Sequence, residues 1–140
     1  LDAFLSHVAA NAGYIGIERV TYTSQAQAVN VLADEYALED VVGHVLRNAD
    51  RYRTPGSEIR ITLEADATAA RVSIHNAGPA IDDAMLERIF EYGVSDQTEG
   101  AQRGQGLFVA KTYMAKMGGT IRALNHEGGV AFILQLARHH

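Results

Sequence analysis

This chain is predicted to be an α/β protein, a two-layer sandwich with a mixed, mostly antiparallel sheet and helices on one face. Three observations carry that expectation. "EIRITLEA", Glu58 to Ala65, alternates Ile59, Ile61 and Leu63 against Arg60, Thr62 and Glu64, and "ARVSIHN" follows after Asp66 to Ala69. "TIRALNHE" and "GGVAFILQL" form a second such pair around Gly128 and Gly129. Turns this short join antiparallel strands, whereas a parallel pair needs a long crossover. The third observation is a long helical pattern between about Glu35 and Tyr52, in which Leu38, Val41, Val42, Val45, Leu46 and Ala49 share one face. Elements interspersed in this way suit a sheet with helices packed on one side, and a Rossmann-like parallel sheet fits less well.

Composition bounds the class. A chain of 140 residues fits a single domain with a real core, and 47% hydrophobic with 21% charged residues is an ordinary globular balance. The absence of cysteine rules out disulfides and thiolate metal sites. A net charge of −5 argues against general nucleic-acid affinity. No apolar run approaches the roughly 18–20 residues that span a membrane, so no direct membrane contact is expected of this domain. The chain starts at Leu1 rather than Met, so we expect a fragment of a longer protein, with "RHH" at Arg138 to His140 native or a tag remnant.

The elements follow in order. "LDAFLSHVAANAG", Leu1 to Gly13, reads as a short helix stopped by glycine. "GIERVTYT", Gly16 to Thr23, is β-branched and aromatic enough for a strand. "SQAQAVNVLAD" leads into the long helix, which "TPGS" at Thr54 to Ser57 ends. After the first hairpin, "DDAMLERIFE" reads as a short helix with acids in its first turn. Tyr92 to Gly106 has several glycines and little periodicity, so it reads as a loop. "LFVAKTYMAKM" is a helix stopped by Gly118 and Gly119, before the closing hairpin.

Three stretches point to chemistry. In "GHVLRNADRYR", Asn48 falls at the edge of the apolar stripe, with His44 one turn before and Arg51 one turn after. Taken alone, such a line is as well explained as a solvated shoulder. "HNAGPAI", His75 to Ile81, puts a Gly-Pro turn at the end of a strand, and alone it reads as a plain turn. "RGQGLFVAK", Arg103 to Lys111, runs a glycine-rich loop into a helix. Backbone N–H groups exposed at a helix start suit an anion, and a preceding arginine suits phosphate. It is neither a P-loop, since no Gly-Lys-Ser/Thr follows, nor a dinucleotide fingerprint, since no strand directly precedes it. The scattered histidines stand beside no carboxylate at ligand spacing, so no zinc site is expected.

The order of these stretches resembles the GHKL ATP-binding family, and within it the catalytic domain of sensor histidine kinases. "HVLRNADRYR" looks like its asparagine box, "NAGPAI" like its first glycine box, "ERIFE" like its phenylalanine box and "GQGLFVAK" like its second glycine box. The likeness covers essentially all of residues 1–140 and implies one domain of the Bergerat-type ATP-binding fold. It implies ATP and Mg²⁺ as cofactors. Asn48 would hold the Mg²⁺ that bridges the phosphates, Arg51 would reach the phosphates and Tyr52 would pack against the nucleotide. Asn76 would read the adenine amino group in place of the usual Asp, with Gly78 and Ile81 shaping the base pocket. Tyr92 to Gly104 would be an ATP lid, with Arg103, Gly104, Gly106 and Leu107 at its phosphate end.

The implied reaction is phosphoryl transfer to a histidine on a dimerisation domain of the same protein, with a response regulator as an indirect partner. The implied setting is the cytoplasmic side of an inner-membrane sensor. His44, Asn48 and Arg103 are the catalytic candidates. His44 stands where kinases of the family carry an Asn and ATPases a Glu base; we expect it to position rather than to activate water. Ala80 replaces the last glycine of the first glycine box, and Ala131 stands where many members have a Thr near the base. Neither His7 nor any other histidine here has the setting of a phosphoacceptor. Two alternatives accompany this reading: a degenerate nucleotide-sensing or docking module, and an ATP hydrolase of the same fold.

Overall fold

The computed structural model describes residues 1–25, 29–91, 106–126 and 128–139. Its five strands are β1 (Val20–Ser24), β2 (Ile59–Ala65), β3 (Ala69–Ala77), β4 (Thr120–His126) and β5 (Gly129–Ala137), in the sheet order β1-β2-β3-β5-β4. Both expected hairpins form, and β3 pairs antiparallel with β5 at the centre. β1 and β2 are the one parallel pair, and the helix between them supplies the crossover that a parallel pair requires. The sheet is therefore mixed and mostly antiparallel.

Three helices accompany it: α1 (Asp2–Asn11), α2 (Glu35–Tyr52) and α3 (Gly106–Lys116). The core joins their apolar stripes to one face of the sheet, where Ile59, Ile61, Leu63, Val72, Ile74, Phe132 and Leu134 lie. In α2 the buried residues are the six of the predicted stripe, Leu38, Val41, Val42, Val45, Leu46 and Ala49. Asp34 caps its start by accepting from the Tyr36 and Ala37 N–H groups at 2.9 and 3.2 Å. Its end comes at Arg53, which is extended before Thr54 and Pro55.

Two elements differ from expectation. β1 begins at Val20 rather than Gly16, because Gly16 and Arg19 take positive φ angles of 84° and 57° that an extended strand cannot contain. Asp82 to Glu91 is not an α-helix but two 3₁₀ turns, Asp83–Met85 and Arg88–Phe90. A ten-residue stretch is marginal as a helix by itself. Of its residues only Ile89 and Phe90 are buried, both near its end, so no apolar stripe runs along it to anchor a longer helix.

The two ends of the described chain meet at one corner. The Leu1 amino group donates to the Val29 carbonyl at 3.1 Å, and the His139 N–H donates to the Asn30 carbonyl at 2.7 Å.

Candidate functional site

A cavity of about 370 Å³ opens where the C-terminal half of α2 meets the ends of β3 and β5. That volume lies in the range of small-molecule pockets, about 300–1,000 Å³. Residues between positions 48 and 132 supply its walls. From α2 come Asn48 and Tyr52, one helical turn apart, and from β3 comes Asn76. Pro79, Ala80 and Ile81 follow β3, Ile89 comes from the second 3₁₀ turn, Leu107 from the first turn of α3, and Val130 and Phe132 from β5. The lining is mostly apolar, with two carboxamides as the convergent polar groups.

Asn76 is 2% exposed, and its amide nitrogen donates to the Ala77 carbonyl at 3.2 Å. A carbonyl only accepts, so this bond fixes which end of the carboxamide is which. The oxygen is the end left to accept from a ligand. The Asn48 carboxamide, partly buried, has no hydrogen-bond partner among the described residues.

Gly78 closes the corner between β3 and α2. Its φ is +155°, and a Cβ there would stand 2.4 Å from the Tyr52 carbonyl oxygen. Only glycine lets the end of the strand approach the end of the helix this closely. The Gly78 N–H donates to Gly128 at 3.2 Å, and the Thr54 N–H donates to the Ala77 carbonyl at 2.8 Å, so the corner is tied on both sides.

His44 lies beside the start of α3. A Cβ at Gly106 would stand 3.4 Å from its Nδ1, so the glycine leaves the imidazole room against the helix. Burial pushes the His44 pKa below 6.5, Arg47 adds to that, and Asp40 opposes it. The cation that favours the neutral ring is therefore Arg47, three residues on.

Of the residues singled out in the sequence, Asn48, Tyr52, Asn76, Ile81 and Leu107 line the one cavity. Gly78 immediately precedes the lining residue Pro79, and Gly106, beside His44, immediately precedes the lining residue Leu107. Arg51 is exposed at the end of α2, with its guanidinium 5.7 Å from the centre of the Tyr52 ring. Arg103, Gly104 and the lid assigned to Tyr92 to Gly104 lie outside the described residues.

One assignment is corrected. Ala131 does not adjoin the cavity: it pairs with His75 in the sheet, while its neighbours Val130 and Phe132 line the pocket. Successive strand residues face opposite ways, so the position near the base is Val130. The sequence reading also missed Ile89, Phe132 and Pro79. The signal for Val130 and Phe132 was there, in the alternation that they share with Leu134 and Leu136.

The fold is an α/β sandwich with a small-molecule-sized cavity where α2 meets the sheet. The chain belongs to the histidine kinase-, DNA gyrase B-, and HSP90-like ATPase family, which it matches over residues 33–140. It is 32% identical to sensor protein SrrB of Staphylococcus aureus (strain NCTC 8325 / PS 47) over 106 residues, 72% of this chain and 18% of that protein. The chain thus spans under a fifth of the length of this curated relative. Nucleotide-free catalytic domain of histidine kinase ThkA superimposes with a TM-score of 0.83 at 26% identity, covering 99% of this chain and 92% of that one. Full-length ShkA in complex with AMPPNP gives 0.77 at 26% identity, covering 99% and 29%. The relatives of this domain are catalytic domains of sensor histidine kinases.

Proposed function

We propose that this domain binds Mg-ATP in the cavity and transfers the γ-phosphoryl group to a histidine on a separate dimerisation domain, as the kinase module of a two-component sensor. A response regulator would take the phosphoryl group onward. The observation that carries this reading is the convergence of Asn48, Tyr52, Asn76, Ile81 and Leu107 on one cavity of nucleotide size.

The residues fit the nucleotide from base to phosphate. Asn76 accepts a hydrogen bond from the adenine 6-amino group through its free oxygen. Val130, Phe132 and Ile81 pack on the base, and Tyr52 covers its open side. Asn48 faces the phosphates, and Arg51, Arg103, Gly104 and Gly106 serve them with charge and backbone N–H groups.

The donor set also suits Mg²⁺. No group of three His, Cys, Asp or Glu that could hold a metal occurs among the described residues. Asn48 offers one hard, unpartnered oxygen, and Mg²⁺ commonly takes one or two protein oxygens beside phosphates and waters. The ion would neutralise charge on the transferring phosphates, where positioning and electrostatics do most of the catalysis. His44, neutral and beside α3, positions a phosphate by a hydrogen bond.

The test supplies a histidine-bearing dimerisation domain from the parent sensor together with radiolabelled Mg-ATP. Acid-labile, base-stable label on that domain, and none on this one, is the expected result. Binding without transfer favours a nucleotide-sensing module, and steady phosphate release without label favours a hydrolase.

A further inference from the structure

Between the end of β3 and the first 3₁₀ turn, Gly78 to Asp82 has no regular structure, yet Pro79, Ala80 and Ile81 form one wall of the cavity. A wall without a ladder of its own needs an anchor. Its anchors come from the other hairpin. The Gly78 N–H donates to the Gly128 carbonyl, and the Asn125 side chain grips Ile81 twice. The Asn125 Oδ1 accepts from the Ile81 N–H at 2.8 Å, and its Nδ2 donates to the Ile81 carbonyl at 2.8 Å. Both bonds are short, straightforward amide pairs, and both satisfy backbone groups that no strand partner reaches.

Asn125 lies on β4, an edge strand of the sheet. Its carboxamide does there what a neighbouring strand residue would do. It offers one acceptor and one donor to a single residue's N–H and C=O. The same strand position pairs with Val130, which also lines the cavity. One residue thus registers the irregular wall against the regular one. We infer that Asn125 is a positioning residue of the nucleotide pocket, which holds Ile81 at the distance from Val130 that an adenine ring requires. The inference rests on the function proposed above. Asn125 itself does not line the cavity and touches no nucleotide.

Three substitutions test it. In Asn125→Leu both bonds are lost, while the apolar volume is kept. In Asn125→Asp the acceptor stays, but the second oxygen faces the Ile81 carbonyl without a proton. Only the protonated carboxyl restores the donor. Val31→Ala, far from the cavity, controls for general loosening. The readouts are the Mg-ATP dissociation constant by calorimetry, amide exchange resolved at residues 80–82, and the melting temperature.

We expect Asn125→Leu to weaken Mg-ATP about tenfold, the loss of roughly two ordinary hydrogen bonds. Exchange at Ile81 should accelerate in the nucleotide-free protein while the central strands β3 and β5 stay protected. Asn125→Asp should behave likewise at pH 7.5 and regain affinity, relative to wild type at each pH, as the pH is lowered towards 5. Three results would overturn the inference: Mg-ATP affinity within twofold of wild type in Asn125→Leu, exchange at Ile81 no faster than in wild type, or exchange that rises equally throughout the sheet as in a general loosening. A wild-type domain that binds no adenine nucleotide overturns the proposed function instead. The exchange at Ile81 then still decides whether Asn125 anchors the wall.

Discussion

The two ends of the cavity are built by opposite means. Its polar end is led by a single helix: Asn48 and Tyr52 stand one turn apart along α2, a spacing fixed by the helix itself, while Asn76 joins them from β3. Its apolar end draws Ile81, Ile89, Leu107, Val130 and Phe132 from four segments that only the complete sheet and its helices bring together. Phe132 is 1% exposed and meets Phe90 edge to face at 6.1 Å, so the floor of the pocket is continuous with the core. Asn48, by contrast, has no partner to lose among the described residues. The apolar end should therefore be inseparable from stability, and the polar end should be separable from it.

The largest expected effect is at the floor. Phe132→Ala should cost about 3–5 kcal/mol, the usual range for emptying a buried aromatic site. Denaturant unfolding should show that loss, with nucleotide binding falling alongside. Gly78→Ala comes next, because its Cβ would meet the Tyr52 carbonyl oxygen at 2.4 Å. A penalty of about 2 kcal/mol is expected from such a backbone clash, again read by denaturant.

Asn48→Ala should leave the unfolding midpoint nearly unchanged and weaken Mg-ATP about tenfold, while nucleotide titrated in EDTA is held as before. A drop in stability comparable to that of Phe132→Ala would erase the contrast between the two ends. Equal weakening with and without EDTA would make Asn48 a structural residue.

The smallest effect concerns His44. Its folded pKa lies below 6.5, so the unfolded chain binds more protons around and below that pH. Stability must then fall as the pH drops through 6.5 towards the lower folded value. His44→Asn should make the melting temperature less dependent on pH in that window. A steeper dependence in the variant would contradict the burial of a neutral ring.

The same contrast explains what could be read from the sequence. Asn48 and its flank were legible because a helix of fixed period sets both its stripe and the border of that stripe. Asn76, Gly78 and Ile81 were legible through their order and spacing with the other boxes. Ile89 and Phe132 were not, because a pocket floor and a core use the same side chains, and only topology says which of them faces the cavity. The slip at Ala131 is a one-residue error in a period of two, which turns a side chain to the opposite face. Asp82 to Glu91 misled for a different reason: its acids imitate a helix start, whereas only Ile89 and Phe90 are buried and no stripe holds the rest against the core. Asn125 gave no local signal at all, since its partner, Ile81, lies 44 positions away.

The corner at Val29 and Asn30 lies at one end of the central strands. β3 and β5 pair from Ala69 with Ala137, at this corner, to Ala77 with Gly129, beside the cavity. The nine-residue strands place the two roughly 25 Å apart at about 3.3 Å per residue. The corner and the cavity are thus opposite ends of one unbroken ladder, so a disturbance at Val29 or Asn30 has the whole β3–β5 pairing to cross before it reaches Asn76.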